Sequence, residues 1–318
     1  MLKELTKLEM KKTREGFGHG LVDLGEKDER IVVLAADVTD SVNAGFFARR
    51  FPERFVQMGI AEQNMATVAT GLSLVGKIPF YSTYSVFSTC RCMDQIRISI
   101  CYSNANVKIC GAHGGISVGQ DGATHQAMED IAMMRSLPNM KVIVPCDYWQ
   151  SKRATMAAAY IDGPVFIRFG REAVPTLTDE STPFEFGKGV VLRDGGDVAI
   201  IACGVMVYEA LVAAEVLGKQ GIDCRVINLH TIKPIDRDLI IRAARECGAI
   251  VTAEEHQVYG GMGSAVAEVL VSHAPVPQEF VAVMDCFGQS GQPDELLRAY
   301  GLKSEDIIAA VKRVLKRK

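Results

Sequence analysis

Short apolar runs alternate with segments of helical periodicity along the first half of the chain. The runs are rich in β-branched residues and bounded by turn residues, as is typical of strands buried in a parallel sheet. The predicted strands are 30–37, 77–83, 106–112, 140–145 and 163–169. The predicted helices, where apolar residues recur every three or four positions, are 8–24, 61–75, 91–102, 125–136 and 148–160. This half is therefore predicted to be an α/β domain.

The pattern breaks at 171–197, a stretch rich in Pro, Gly, Thr and acidic residues, and then resumes. The second set of predicted strands is 197–203, 223–229, 249–255 and 279–285, with helices near 206–219, 236–247 and 264–273. The fold class predicted is α/β with two parallel-sheet domains. The predicted division is a first domain at 1–175, a linker at 176–190 and a second domain at 191–318.

Composition narrows the class of protein. No apolar run among the 318 residues approaches the roughly 18 residues of a membrane span, so no membrane association is expected. The N-terminal stretch lacks the continuous apolar run of a signal peptide, and nine cysteines without framework spacing suit a reducing cytoplasm. A net charge of -3 without a basic cluster argues against nucleic acid. Small molecules and other subunits are the expected partners.

Glu62 occupies a position where the helical pattern predicts an apolar residue. In "GIAEQN" (59–64), Glu62 begins a helical stripe that continues through Met65, Ala69, Leu72 and Val75. An acidic residue in the first turn of a helix is common, because free amide groups stabilise negative charge there. The alternative is that Glu62 is placed for chemistry, and this stretch alone does not decide.

A glycine-rich loop follows the third predicted strand. "GAHGGISVGQDGATHQAMED" (111–130) places His113 and His125 twelve residues apart with Asp121 between them. Histidine both donates and accepts protons near neutral pH, as an enzyme acting on hydroxyl and carbonyl groups requires. The other interpretations are structural histidines and, with less support, a zinc site.

Two further segments give weaker signals. "YGGMGSAVAEVL" (259–270) has a Gly-x-Gly before a helix, which can bind phosphate, but the third glycine of the dinucleotide fingerprint is missing. Tyr84 and Phe87 follow a strand in "STYSVF" and are either an aromatic wall for a flat heterocycle or core residues.

In combination, "GIAEQN", "STYSVFSTCRCMDQIR" and "GISVGQDGATHQ" closely resemble the C-terminal portion of transketolases. The likeness extends to "EEHQVYGGMGSAVAEVL" and is strongest to the C-terminal subunit of split transketolases. The resemblance implies a pyrimidine-binding domain followed by a transketolase C-terminal domain, with thiamine diphosphate held between subunits. It also implies transfer of a two-carbon ketol unit from a ketose phosphate to an aldose phosphate.

The resemblance also implies roles for particular residues. Glu62 corresponds to the glutamate that bonds a ring nitrogen of the aminopyrimidine and favours its imino tautomer, which suits a carboxyl group in an apolar pocket. Tyr84 and Phe87 correspond to aromatic residues that stack on the pyrimidine. The positions that correspond to substrate-binding residues are His113 and His125 for the ketose, Asp121 for a sugar hydroxyl, and Arg14, Ser41 and Arg171 for the phosphate end.

Some features depart from the family. Gln120 stands where a Glu is common, Ala112 precedes His113, and Met93 replaces an aromatic residue, so the sugar preference is expected to be narrower or altered. No Gly-Asp-Gly occurs, the motif that anchors Mg²⁺ and the diphosphate in thiamine enzymes. Mg²⁺ is therefore expected on an N-terminal transketolase subunit, in an α2β2 heterotetramer. A homodimer through this chain is also possible.

Two alternatives remain open. A 1-deoxyxylulose-5-phosphate synthase-like enzyme has the same domain order and the "DG-x-TH" motif, but tends to carry Asp at the position of His113. The other alternative is a non-catalytic relative of the same fold, which would have no physical need for Glu62, His113, Asp121 and His125.

Overall fold

The computed structural model describes residues 5–318, which contain two α/β units built on separate sheets. The first sheet has seven strands in the order β12-β6-β7-β5-β4-β2-β3. Its strands are β2 (Ile31–Ala35), β3 (Phe55–Gln57), β4 (Ile78–Tyr84), β5 (Lys108–Ala112), β6 (Lys141–Ile143), β7 (Val165–Arg168) and β12 (Thr231–Lys233). All neighbouring pairs are parallel except β12–β6. Strands β2 and β5 are buried at every position, as continuous apolar runs predict.

Helices cover both faces of this sheet. They are α1 (Thr13–Lys27), α2 (Gly45–Arg50), α3 (Glu62–Leu74), α4 (Met93–Gln95), α5 (Asp130–Ser136) and α6 (Tyr148–Ala158). The short α4 lies between two π-helical turns, Phe87–Arg91 and Ile96–Tyr102, which together replace the predicted helix at 91–102.

Two predicted helix starts are wrong. The helix predicted at 8–24 begins at Thr13, because 10–12 form β1 (Met10–Lys12), which pairs antiparallel with β8 (Ala173–Pro175). The helix predicted at 125–136 begins at Asp130, because the residues before it belong to the glycine-rich loop. In α3 the apolar stripe is buried at Met65 and Ala69, but Val75 at its end is 76% exposed.

The second sheet has five strands in the order β14-β13-β10-β11-β9. Its strands are β9 (Val190–Arg193), β10 (Val198–Ala202), β11 (Cys224–Asn228), β13 (Ile250–Gln257) and β14 (Gln278–Val283). Only the β9–β11 pair is antiparallel. The helices are α7 (Met206–Gly218), α8 (Arg237–Cys247), α9 (Met262–His273), α10 (Pro293–Ala299) and α11 (Ser304–Val314). The two sheets confirm the predicted fold class.

The two units are joined by more than the covalent connection. Strand β12 comes from the second half of the chain, yet it pairs with β6 at the edge of the first sheet. Ligands of parallel sheets bind beyond the carboxyl ends of the strands. In the first sheet the segments that follow β4, β5 and β7 meet there, and they carry most of the predicted site residues.

Candidate active site

Glu62 is a buried carboxylate at the start of α3. Its side chain is 5% exposed and accepts a hydrogen bond of 2.7 Å at Oε1 from Nη1 of Arg91. The Arg91 guanidinium also lies over the Phe87 ring, 4.3 Å from the ring centroid. Arg91 was not predicted as a site residue. Glu62 is thus a carboxylate paired with an arginine that in turn lies over an aromatic ring. It does not act as a helix cap, since no side chain caps α3.

Tyr84 is the centre of an aromatic and histidine cluster at the end of β4. Its ring is stacked with Phe87 at 5.9 Å and lies 4.2 Å from the ring of His113. The ring of His125 meets Tyr84 edge-on at 5.9 Å and Phe87 at 5.2 Å. The two aromatic residues and the two histidines, distant in sequence, therefore form one cluster.

His113 is held in an uncharged state by its surroundings. The residue is 1% exposed, has a φ of +58°, and its Nδ1 has no hydrogen-bond partner within residues 5–318. Burial, together with the nearby positive charges of Arg14 and Arg171, lowers the pKa of His113 to about 3. A neutral imidazole can donate from one nitrogen and accept at the other.

The two predicted phosphate-end arginines, Arg14 and Arg171, both lie close enough to this cluster for their charges to act on His113. The Arg14 guanidinium bonds the carbonyl of Ser41, and the Ser41 hydroxyl is 2.9 Å from the Tyr84 hydroxyl. Burial and the charge of Arg171 lower the pKa of Arg14. Two guanidinium groups close enough for one to lower the pKa of the other form a region suited to an anion.

Arg171 is engaged with the glycine-rich loop. Its Nη1 donates to the Val118 carbonyl at 2.7 Å and to Oδ2 of Asp121 at 3.2 Å. His125, further along the loop, has its Nδ1 2.8 Å from the Thr124 hydroxyl. The structure thus brings Arg171 and Asp121 together as an ion pair, which the sequence did not predict.

A buried ionic cluster lies behind the loop and was missed by sequence reasoning. The Arg168 guanidinium donates to Oδ2 of Asp130 at 2.7 Å, and the same oxygen accepts a 2.5 Å bond from Ser85. Glu255 and His256 of β13 complete the cluster from the second unit. In the sequence, the run "EEH" at the end of a predicted strand is the feature that could have indicated this cluster.

The weak phosphate signal at 259–263 has another explanation. The amides of Met262 and Gly263, which begin α9, donate to the carboxylate of Glu254 at 2.7 Å each. A β-carbon at Gly261 would lie 2.3 Å from that carboxylate. The helix start is therefore already occupied by an anion of the same chain, and its glycines make room for Glu254.

The site offers groups suited to binding a flat heterocycle. Glu62 provides a buried carboxylate, and Tyr84 and Phe87 provide stacked rings. Nδ1 of His113, whose ring lies against Tyr84, has no hydrogen-bond partner in the part of the chain that the structure describes. Within residues 5–318 no group of His, Cys, Asp and Glu side chains could hold a metal ion. No helix in the same range has the length and apolar character to cross a membrane.

Comparisons with known proteins agree with this architecture. The family "Transketolase, pyrimidine binding domain" matches residues 9–176, and "Transketolase, C-terminal domain" matches 187–307. A putative transketolase C-terminal section from Methanocaldococcus jannaschii is 44% identical, with 96% of each chain covered. A 6-deoxy-6-sulfo-D-fructose transketolase subunit from Clostridium sp. (strain MSTE9) is 42% identical, over 98% of this chain and 97% of that one.

A solved structure described as a split gene transketolase, inactive beta4 tetramer, is 51% identical with a TM-score of 0.91, over 96% of this chain and 99% of that one. The matches define the class as a pyrimidine-binding domain followed by a transketolase C-terminal domain. The chain belongs to the transketolase family and is similar over nearly its whole length to the C-terminal subunits of split enzymes. These matches do not favour the alternative of a 1-deoxyxylulose-5-phosphate synthase-like enzyme.

Proposed function

We propose that this chain is the C-terminal subunit of an active thiamine-diphosphate-dependent transketolase that moves a two-carbon ketol unit from a ketose phosphate to an aldose phosphate. The observation that carries the proposal is the buried Glu62 carboxylate, which Arg91 connects to the stacked Phe87 and Tyr84 rings. A carboxylate in such a place needs a partner, and Arg91 supplies only one bond to one of its oxygens.

Glu62 would hold a pyrimidine nitrogen of the cofactor, and Tyr84 and Phe87 would line its ring. Thiamine diphosphate, when bound, supplies a nucleophilic thiazolium carbon that carries the two-carbon unit. Burial protects the Glu62 bond from competition by water, while Arg91 keeps the carboxylate in place.

His113 and His125 are proposed to form hydrogen bonds with the carbonyl and hydroxyl groups of the sugar. Neutral His113 is suited to donate a hydrogen bond to a carbonyl oxygen without adding a full positive charge. Asp121, which is partly exposed and paired with Arg171, is proposed to read a sugar hydroxyl. The glycine-rich loop would therefore carry the groups that select the sugar.

Arg14, Ser41 and Arg171 are proposed to bind the anionic end of the substrate. Guanidinium groups match tetrahedral oxyanions well. The Clostridium relative is named for a sulfonated sugar, and a sulfonate is also a tetrahedral oxyanion. The geometry therefore favours a sugar with an oxyanion at its end, and a phosphate is the form we propose.

The proposed partner is an N-terminal transketolase subunit that holds Mg²⁺ and the diphosphate, and an α2β2 assembly is the expected form. The similar structure described as an inactive beta4 tetramer supports self-association of such subunits without activity. We further propose that residues 1–175 and 191–318 are separate domains joined by 176–190. The nine free cysteines suit a cytoplasmic location.

Isotope transfer tests the proposed reaction. The chain is co-expressed with a subunit that contains Gly-Asp-Gly and supplied with thiamine diphosphate, Mg²⁺, an unlabelled aldose phosphate and a ketose phosphate labelled at its first two carbons. We expect both labels to move together into the new ketose, and Glu62→Gln to prevent this. Condensation of pyruvate with an aldose phosphate, with no transfer from ketoses, would instead identify a synthase.

A further inference from the structure

Residues 113–126 of the glycine-rich loop, called the loop below, contact the second unit of the chain. The Ser117 amide donates to Oε1 of Glu255 at 2.6 Å, and the Gln126 side-chain amide donates to the Gln289 carbonyl at 3.0 Å. Just beyond the loop, the Gln257 amide donates to the Met128 carbonyl at 2.7 Å. The loop is therefore held near its middle, at its end and just after it by residues from the other domain.

Among these contacts, the one to Glu255 brings the loop backbone closest to a buried carboxylate. Its side chain is buried, and a β-carbon at Gly115 would lie 2.3 Å from its carboxyl carbon. Gly115 also has a φ of +91°, which a residue with a side chain rarely adopts. The loop backbone thus passes directly over the carboxylate, and the missing side chain at Gly115 makes this approach possible.

The positive charge of Arg168 lies near this buried carboxylate. Nη2 of Arg168 donates to the carbonyls of Ala127 and Glu255 at 2.9 Å each, while its Nε is paired with Asp130. Burial raises the pKa of Glu255, and the charge of Arg168 and the bond from Ser117 oppose that effect. Moving this carboxylate would leave a buried charge and the Ser117 amide without their hydrogen-bond partners, so its position is fixed.

We propose that Glu255 is a positioning residue for ketol transfer, which acts from the C-terminal domain by fixing the backbone of loop 113–126. The inference rests on the proposed function for the roles of His113, Asp121 and His125, which this loop carries. Glu62, Tyr84 and Phe87 lie outside the loop. Glu255 therefore affects sugar binding and turnover while leaving the pyrimidine side of the site unchanged.

The neighbouring Glu254 offers a matched control. It is also a buried carboxylate of β13 that accepts amide hydrogen bonds, but its donors are in α9 and not in the loop. Glu254→Ala and Glu255→Ala therefore remove the same group from adjacent positions, and only the second change removes a loop contact.

The test combines hydrogen–deuterium exchange of the isolated chain with kinetics of the complex. We expect Glu255→Ala to speed exchange in peptides covering 113–126 about tenfold or more, as loss of a charged hydrogen bond predicts. We also expect the KM for the ketose phosphate to rise by a similar factor, with thiamine diphosphate affinity within about twofold. Glu255→Gln keeps the side-chain volume and one hydrogen-bond acceptor. It should therefore raise the exchange rate of 113–126 and the KM less than Glu255→Ala does.

Glu254→Ala should speed exchange at the start of α9 and leave 113–126 unchanged. Unchanged loop exchange in Glu255→Ala, or an equal KM effect from both alanine variants, would overturn the proposal. If Glu255→Ala does not fold, Glu255→Gln is compared with Glu254→Gln by the same criteria. If the wild-type complex shows no ketol transfer but the variants show the expected exchange pattern, the proposed function is wrong, whereas the contact between Glu255 and the loop is still supported.

Discussion

Replacing Glu62 by alanine should separate its chemical role from its structural one. The side chain is 5% exposed and makes one ion pair, with an Arg91 side chain that is 44% exposed. When Glu62 is removed, Arg91 can be hydrated instead, so we expect a loss of about 1 kcal/mol in unfolding free energy. In a chain of 318 residues this corresponds to a decrease of about 2 °C in Tm.

The chemical loss should be much larger. A positioned acid or base commonly contributes a factor of about 10²–10⁴ in rate. We expect Glu62→Ala to slow deuterium exchange at the thiazolium carbon by about this factor, measured by NMR after acid quenching of the reconstituted complex.

Glu215→Ala is the matched control, since Glu215 pairs with Arg193 at 3.4 Å in the second unit, far along the chain from the site. It should lower Tm comparably and leave the exchange rate unchanged. Exchange at the wild-type rate in Glu62→Ala would refute the assignment of Glu62, and a collapse of Tm would show that its role is mainly structural.

Three further predictions concern single charged groups. Arg171→Ala should raise KM for a sugar phosphate by about tenfold or more and affect the unphosphorylated sugar less; exposed Arg245→Ala is the control, and equal losses on both sugars would contradict the assignment. His113, whose pKa burial lowers to about 3, should show no NMR titration between pH 5 and 8, whereas a midpoint near 6.5 would contradict its burial. Burial lowers the pKa of Lys108 from 10.5 to about 7. Between pH 7 and pH 10.5 the unfolded chain therefore binds a proton at Lys108 that the folded chain does not, and the unfolding free energy should rise with pH in this range. Relative to Lys108→Gln, wild-type unfolding free energy measured in urea should gain about 2 kcal/mol from pH 7 to 9, and parallel curves would contradict this.

The alternation of strands and helices was predictable because it depends on local periodicity. Glu62 could be proposed as a candidate site residue for the same reason, since a charge at the start of an apolar stripe is visible in one short segment. The start of α1 was not predictable, because 10–12 pair with β8, more than 150 residues away. Long-range strand pairing leaves no periodic signal at such short length.

The groups around the predicted residues were harder to foresee. Arg91 reaches Glu62 from a π-helical turn, which changes the direction of side chains relative to an ordinary helix. Glu255 meets the loop only after two domains have packed against each other. Sequence therefore predicted candidate residues within one domain, whereas the contacts that support them depend on tertiary structure.

Cofactor binding by the separated subunits tests the central claim most directly. This chain provides Glu62, Tyr84 and Phe87, whereas the diphosphate and Mg²⁺ are assigned to another subunit. Calorimetric titration with thiamine diphosphate and Mg²⁺ should show weak binding to this chain alone, weak binding to the partner alone and tight binding to the mixture. Tight binding and full ketol transfer by this chain by itself would contradict the account.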